Sequence, residues 1–176
     1  MVDLTPKTSH LPKVSKKLII SIGIISDSLS KLGNGWQEKD KSGKVAYRLL
    51  KNENYEIKTL KVIPDEYDLI ENYIKNMLEE KINVIITIGG TGIGSRDVTI
   101  EVAEKFVDKI MPGFGEIFRL KTFQGVGTVA IMTRAFAGIK KSSLIVCLPG
   151  SPNAVETGIK LIIPELQHIA QLISKQ

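Results

Sequence analysis

The apolar positions of this chain fall into two kinds of block. Residues 18–25 (LIISIGII), 83–88 and 143–148 (SLIVCL) are short, near-continuous apolar runs rich in β-branched side chains. That is the pattern of strands covered on both faces. Residues 55–63 predict another strand, stopped by Pro64-Asp65, and residues 126–132 predict a further one. Between the strands, Ile70, Tyr73, Ile74, Met77 and Leu78 recur at helical spacing with charges among them. A shorter helical pattern covers residues 44–50, after a polar loop over 29–43 that contains Trp36. A helix is expected from Thr99 to about Lys109, where Pro112-Gly113 breaks it before another begins near Phe114. The C-terminal region is helical from Asn153. Pro164 stands at the first turn of a second helix, where its missing N–H costs nothing.

Strands alternating with amphipathic helices predict an α/β fold, a three-layer α/β/α arrangement around a mostly parallel sheet. A chain of 176 residues suits one domain. It buries roughly 70% of its unfolded surface without help from disulfides or a structural metal. The domain is expected over residues 18–176, preceded by a polar arm over 1–17. In parallel sheets the strands' C-terminal ends share one edge, and ligands bind there. Four segments that follow strands are therefore expected to meet: Ser26-Asp27-Ser28, Pro64-Asp65, the run from Gly89 to Asp97, and Pro149 to Asn153.

Charge and cysteine use narrow the function. The net charge is +5, and the arm holds Lys7, Lys13, Lys16 and Lys17 against Asp3. The rest is too nearly neutral for a nucleic-acid groove. No apolar stretch reaches transmembrane length and the arm has no secretory apolar core, so neither membrane nor export is expected. The lone Cys147 sits in an apolar run and reads as a small core residue, in keeping with a reducing cytoplasm.

Gly89-Gly90-Thr91-Gly92-Ile93-Gly94 follows a buried strand and precedes a helix. Without Cβ atoms, backbone N–H groups in such a turn can converge on a phosphate, to which the helix adds its positive end. It is neither a P-loop nor a dinucleotide fingerprint, since no Gly-Lys-Ser/Thr follows and Ser95 stands where a third glycine belongs. A tight structural turn is the plainer account. Asp65 and Asp97 each lie just past a strand and near a helix start, as helix caps or as a pair holding Mg²⁺ on a nucleotide. Pro149-Gly150-Ser151-Pro152-Asn153 is either an ordinary turn or a second wall for a ligand. Arginine is scarce here: Arg48, Arg96, Arg119 and Arg134 stand among many lysines. Arg96 fits a phosphate or a neighbouring acid, Arg119 an ion pair with Glu116, and Arg134 a solvated loop. Phe114, Ile117, Phe118 and Phe123 crowd one segment, to complete the local core or to make a subunit contact.

Taken together, these blocks resemble the MoaB/Mog family of molybdenum-cofactor biosynthesis. Thr87-Ile88-Gly89-Gly90-Thr91-Gly92 with Arg96-Asp97-Val98-Thr99 is similar to its [TS]-x-G-G-T-G…R-D-V-T signature. Ile25-Ser26-Asp27-Ser28, Ile63-Pro64-Asp65-Glu66, Pro112-Gly113-Phe114-Gly115-Glu116, Thr133-Arg134-Ala135 and Leu148-Pro149-Gly150-Ser151-Pro152-Asn153 match further family segments. Order and spacing agree over about residues 18–173. Ile100 departs from the pattern, standing where many members have proline.

The resemblance implies a molybdopterin adenylyltransferase that uses Mg-ATP to make adenylylated molybdopterin and pyrophosphate. Its alternative is a catalytically silent molybdopterin carrier of the same pathway. The resemblance makes Asp65 and Asp97 the catalytic, Mg²⁺-holding acids and Gly89, Gly90, Thr91 and Gly92 the nucleotide-phosphate loop, with Arg96 on phosphate oxygens. Ser26, Asp27, Ser28, Pro149, Gly150, Ser151 and Asn153 line the ligand. It further implies a closed homo-oligomer, a trimer or a dimer of trimers, and a downstream molybdate-insertion protein as recipient of the product.

Overall fold

The computed structural model describes residues 17–174. Apart from Lys17, the expected arm lies outside the described residues. Strands β1 (Ile19–Ile25), β2 (Glu56–Ile63), β3 (Val84–Ile88) and β6 (Ser143–Leu148) are parallel, and β4 (Lys109–Ile110) and β5 (Phe136–Lys140) complete one sheet. The order is β2-β1-β3-β6-β5-β4. Every residue of β3 and β6 is buried, which is why both read as unbroken apolar runs.

Alternate side chains feed two cores. Ile20, Ile22, Ile24, Val84, Ile86, Leu144 and Val146 face helices α3 (Ser42–Asn52), α6 (Pro112–Val126), α7 (Pro152–Ile162) and α8 (Leu166–Ile173). Ile25, Ile85, Ile145 and Cys147 face α4 (Tyr67–Glu79) and α5 (Thr99–Phe106). The fold is thus the expected α/β/α sandwich. Cys147 is fully buried, and burial pushes its thiol up to about 12. Tyr73 of α4 meets the one buried hydroxyl on β1, Ser21, at 2.8 Å. Among the described residues no helix is long and apolar enough to cross a membrane.

Three expectations need correction. Residues 126–132 are not a strand: the chain ends α6 there and forms a 3₁₀ turn, Gly127–Met132. Val129, Ile131 and Met132 are exposed there and Ala130 is buried, so hydrophobicity misleads about strand character. The missing strand is β5, antiparallel to β6, with β4 antiparallel to it in turn. The helix after Thr99 accordingly stops at Phe106, before β4 begins. The stretch over 29–43 is mostly helical, with α1 (Asp27–Ser30), a 3₁₀ turn and α2 (Trp36–Lys39) folding Trp36 into the core. There Asp40 accepts the N–H of Gly43 at 2.8 Å and sets the entry to α3.

Candidate functional site

The sheet register brings the strand ends level. Ile25 pairs with Ile63, Ile24 with Ile88, and Ile88 with Leu148. The loops after β1, β2, β3 and β6 therefore leave from one edge, as expected of parallel strands. Because β5 runs the opposite way and Phe136 pairs with Cys147, the residues just before β5 reach that edge too. This brings Arg134 to the site.

The glycine turn is built on backbone that other residues rarely adopt. Gly89 has φ +111° and Gly90 φ +63°. A Cβ at Gly89 would lie 2.3 Å from the Ile25 carbonyl oxygen. The turn's carbonyls point back into the fold: Thr99 donates its hydroxyl to Gly89 O and its N–H to Gly90 O, both at 3.0 Å. Gly89 N–H donates to Leu148 O at 2.9 Å. The N–H groups of Gly90, Thr91 and Gly92 donate to no group among the described residues. Such free donors suit an anion at a helix start. Thr91 is buried, whereas Gly90 and Gly92 on either side of it are partly exposed.

Neither predicted acid caps a helix. Asp97 accepts the N–H of Gly94 at 2.9 Å, folding the Gly92–Asp97 loop onto itself, and α5 has no side-chain cap. Asp65 packs its Oδ1 against Gly90, 3.0 Å from where a Cβ would stand there. That oxygen is buried and has no hydrogen-bond partner. Desolvation, then the neighbouring charges of Asp97 and Asp27, push the Asp65 carboxyl above its ordinary range, with partial relief from Arg96.

Asp27 organises the other side. Its Oδ1 accepts the backbone N–H of Asp65 at 2.9 Å, and its Oδ2 holds Arg96 at 2.6 Å. Arg96 also donates to Asp65 O at 3.2 Å. Of the two partners open to Arg96, the structure shows the neighbouring acid. Ser26 caps α1 through Leu29 N–H at 3.3 Å and meets the Ser28 hydroxyl at 3.1 Å. Pro149 and Gly150 form the facing wall, with Gly150 packed against Gly89. Ser42 donates to Gly150 O at 2.6 Å, tying α3 to this wall. Ser151 caps α7 through Ala154 N–H at 3.3 Å, and Asn153 is exposed on the first turn.

Two residues outside the expected set belong here: Ser42, and more importantly Arg134. Arg134 is not the solvated loop residue expected. It donates to Gly92 O at 2.8 Å and Asp97 O at 2.7 Å and pairs with Glu101 of α5, whose carboxyl it holds below the usual range. Beyond it lies a cavity of about 320 Å³, bordered by Glu104, Met111, Gly115, Arg119 and Thr133. Two hints were available: the rarity of arginine in the chain and the match of Thr133-Arg134-Ala135 to a family segment.

The acids fit Mg²⁺ of the kind that arrives with a nucleotide. That ion takes hard oxygen donors, one or two carboxylates plus phosphate and water. Asp65 offers an unmatched buried oxygen, with Asp97 the first of its charged neighbours. Among the described residues no group of three or more His, Cys, Asp or Glu forms a ready-made cage. The ion would therefore be held jointly by the acids and a bound phosphate.

The comparisons with known proteins bear on the family and the fold. Residues 19–168 match a family model described as a probable molybdopterin binding domain. A relative from Halalkalibacterium halodurans named molybdenum cofactor biosynthesis protein B is 41% identical over 169 residues, covering 94% of this chain and 96% of its own. A crystal structure of a molybdenum cofactor biosynthesis protein B superposes with a TM-score of 0.84 at 34% identity, covering 93% of this chain and 100% of its own. That of the tungsten cofactor synthesizing protein MoaB from Pyrococcus furiosus superposes at 0.82 with 33% identity, covering 91% and 99%.

Proposed function

The chain belongs to the molybdenum cofactor biosynthesis protein family with the probable molybdopterin binding domain, and on that premise we propose that it adenylylates molybdopterin with Mg-ATP. The observation that carries this reading is the placement of Asp65: a buried carboxylate oxygen without a partner, against a glycine turn in which the N–H groups of Gly90, Thr91 and Gly92 donate to no group among the described residues.

In the reaction, an oxygen of the pterin's terminal phosphate attacks the α-phosphorus of ATP. A P–O–P bond forms, the bond from the α-phosphorus to the bridging oxygen breaks, and pyrophosphate leaves with that electron pair. Both reactants are polyanions, so the protein must supply fixed positive potential and alignment. The N–H groups of Gly90, Thr91 and Gly92, backed by the start of α5, bind phosphate oxygens. Arg96 is exposed enough to turn from Asp27 toward a phosphate. Asp65 and Asp97 would hold Mg²⁺, which when bound would neutralise charge on the triphosphate. The Pro149–Ser151 wall, anchored by Ser42, bounds the other side. No general base is needed, because the nucleophile is already an anion.

The product is passed to a downstream molybdate-insertion protein, and the enzyme works as a closed homo-oligomer. Support for the assembly comes from α6. Phe114 and Phe118 enter the core, whereas Ile117, Leu120 and Phe123 stay exposed. Incubation with molybdopterin, ATP and Mg²⁺ tests the proposal. An enzyme releases pyrophosphate. A protein that binds the pterin without turnover is a carrier, and one that does neither has a vestigial site.

A further inference from the structure

We propose that Arg134 is a positioning residue for adenylyl transfer, one planar guanidinium that fixes both ends of the loop presenting Asp97. The inference rests on the adenylyltransferase reading above. Gly92 and Asp97 bound this loop, and Arg134 takes a carbonyl from each: Nε donates to Gly92 O at 2.8 Å and a terminal nitrogen to Asp97 O at 2.7 Å. Its remaining terminal nitrogen pairs with Glu101, in the first turn of the helix that follows the loop. Within the loop, the Asp97 carboxylate accepts the N–H of Gly94 at 2.9 Å. Arg134 thus braces the loop from outside while Asp97 closes it from inside, so the carboxylate direction depends on both.

The residue type follows from this geometry. Two carbonyls and a carboxylate approach from different directions in one neighbourhood. A rigid fork with spread donors serves all three, whereas an ammonium is a single point that cannot. The topology explains how a residue so distant in sequence reaches the loop: Arg134 lies just before β5, which runs antiparallel to β6 and so starts at the ligand edge. Its side chain is 31% exposed and borders the 320 Å³ cavity. It contacts the loop backbone and not the Asp97 carboxylate. It therefore acts on the chemistry through Asp97.

The test compares Arg134→Ala, Arg134→Lys and Glu101→Gln with the full-length protein. Two readouts are used: pyrophosphate release with molybdopterin and Mg-ATP, and amide hydrogen exchange. Misplacing an aligned group costs turnover on the order of 10- to 100-fold. That loss is expected in kcat for Arg134→Ala, with KM for both substrates moving less than about threefold. Arg134→Lys keeps the charge and guards against an Ala variant that does not fold. It is expected to stay about tenfold or more below wild type. Glu101→Gln keeps both carbonyl bonds and stays within about threefold of wild-type turnover. Exchange accelerates in residues 89–99 of the Arg134 variants and not in the central strands. Wild-type kcat in Arg134→Lys, or protection lost evenly across the sheet, overturns the proposal. If the wild-type protein releases no pyrophosphate, the adenylyltransferase reading fails by itself. The brace is then decided by exchange: loosening confined to 89–99 upholds it, and an unchanged loop refutes it.

Discussion

The carboxylate of Asp27 accepts the backbone N–H of Asp65 at 2.9 Å, so the loop after the first strand holds the acid that follows the second. Its other oxygen is occupied by Arg96. Asp27→Ala removes both contacts and is expected to lower turnover about tenfold through a displaced Asp65. The stability loss is about 1 kcal/mol, because this charge-assisted bond is only partly buried. Asp27→Asn keeps an acceptor for the Asp65 N–H and should retain most of the activity. Equal losses in the two variants would mean that the charge of Asp27, not its grip on Asp65, is what matters.

Asp65 sets function against stability. Its carboxyl is raised above the ordinary range, chiefly by desolvation and then by Asp97 and Asp27. The folded state thus holds this proton more tightly than the unfolded state, so a pH at which the unfolded chain loses it weakens the fold. Asp65→Asn is expected to abolish turnover yet raise the melting temperature at pH 7 by roughly 1–3 °C. The gap closes as pH falls from the raised folded value through the ordinary carboxylate range, where wild-type Asp65 also becomes neutral. Thermal melts of both proteins from pH 7 to pH 4 check this. A variant that is less stable than wild type at pH 7 contradicts the electrostatic account.

Gly89 tests the turn. At φ +111° a side chain is strained, and a Cβ would lie 2.3 Å from the Ile25 carbonyl, which is fixed in the sheet. Gly89→Ala is expected to cost about 1–3 kcal/mol from backbone strain alone. Gly35→Ala serves as the control, since φ there is −88° and no atom stands within 4 Å. Denaturant titration should show a large loss for the first and none for the second.

The exposed apolar side chains of α6 and the turn after it predict self-association. Phe123 is 52% exposed and Ile131 80%, beside exposed Leu120, Val126 and Val129. Large apolar side chains left exposed along one stretch of chain suit an interaction face, and closed symmetry is the usual outcome for one chain. A threefold assembly is expected in light scattering, and Phe123→Glu with Ile131→Glu should dissociate it. A wild-type mass near 19.4 kDa contradicts the oligomer, and a stable dimer contradicts the threefold form.

The parts of the fold legible in the sequence were those whose burial is one-dimensional. β1, β3 and β6 lie in the sheet interior, so their apolar runs announce them. β5 was hidden because Lys141-Ser142 turns the chain into β6 with Lys141 at φ +50°, and neither residue is the glycine or asparagine that signals such a hairpin. β4 has two residues, both exposed. The site divides in the same way. Asp65, Asp97 and the glycines follow strand ends and could be placed by topology. Arg134 binds backbone carbonyls far away in sequence, and a carbonyl carries no residue type to read.

The central claim is most directly tested by mass spectrometry of the pterin after incubation with molybdopterin and Mg-ATP, using wild type and Asp97→Asn. Asparagine can still accept the Gly94 N–H, so the variant should remain folded and bind pterin, but it lacks the charge that Mg²⁺ requires. The account predicts adenylylated molybdopterin with one pyrophosphate per product from wild type, and pterin bound but unmodified with Asp97→Asn. Unmodified pterin from wild type, or product formed equally by the two proteins, would contradict it.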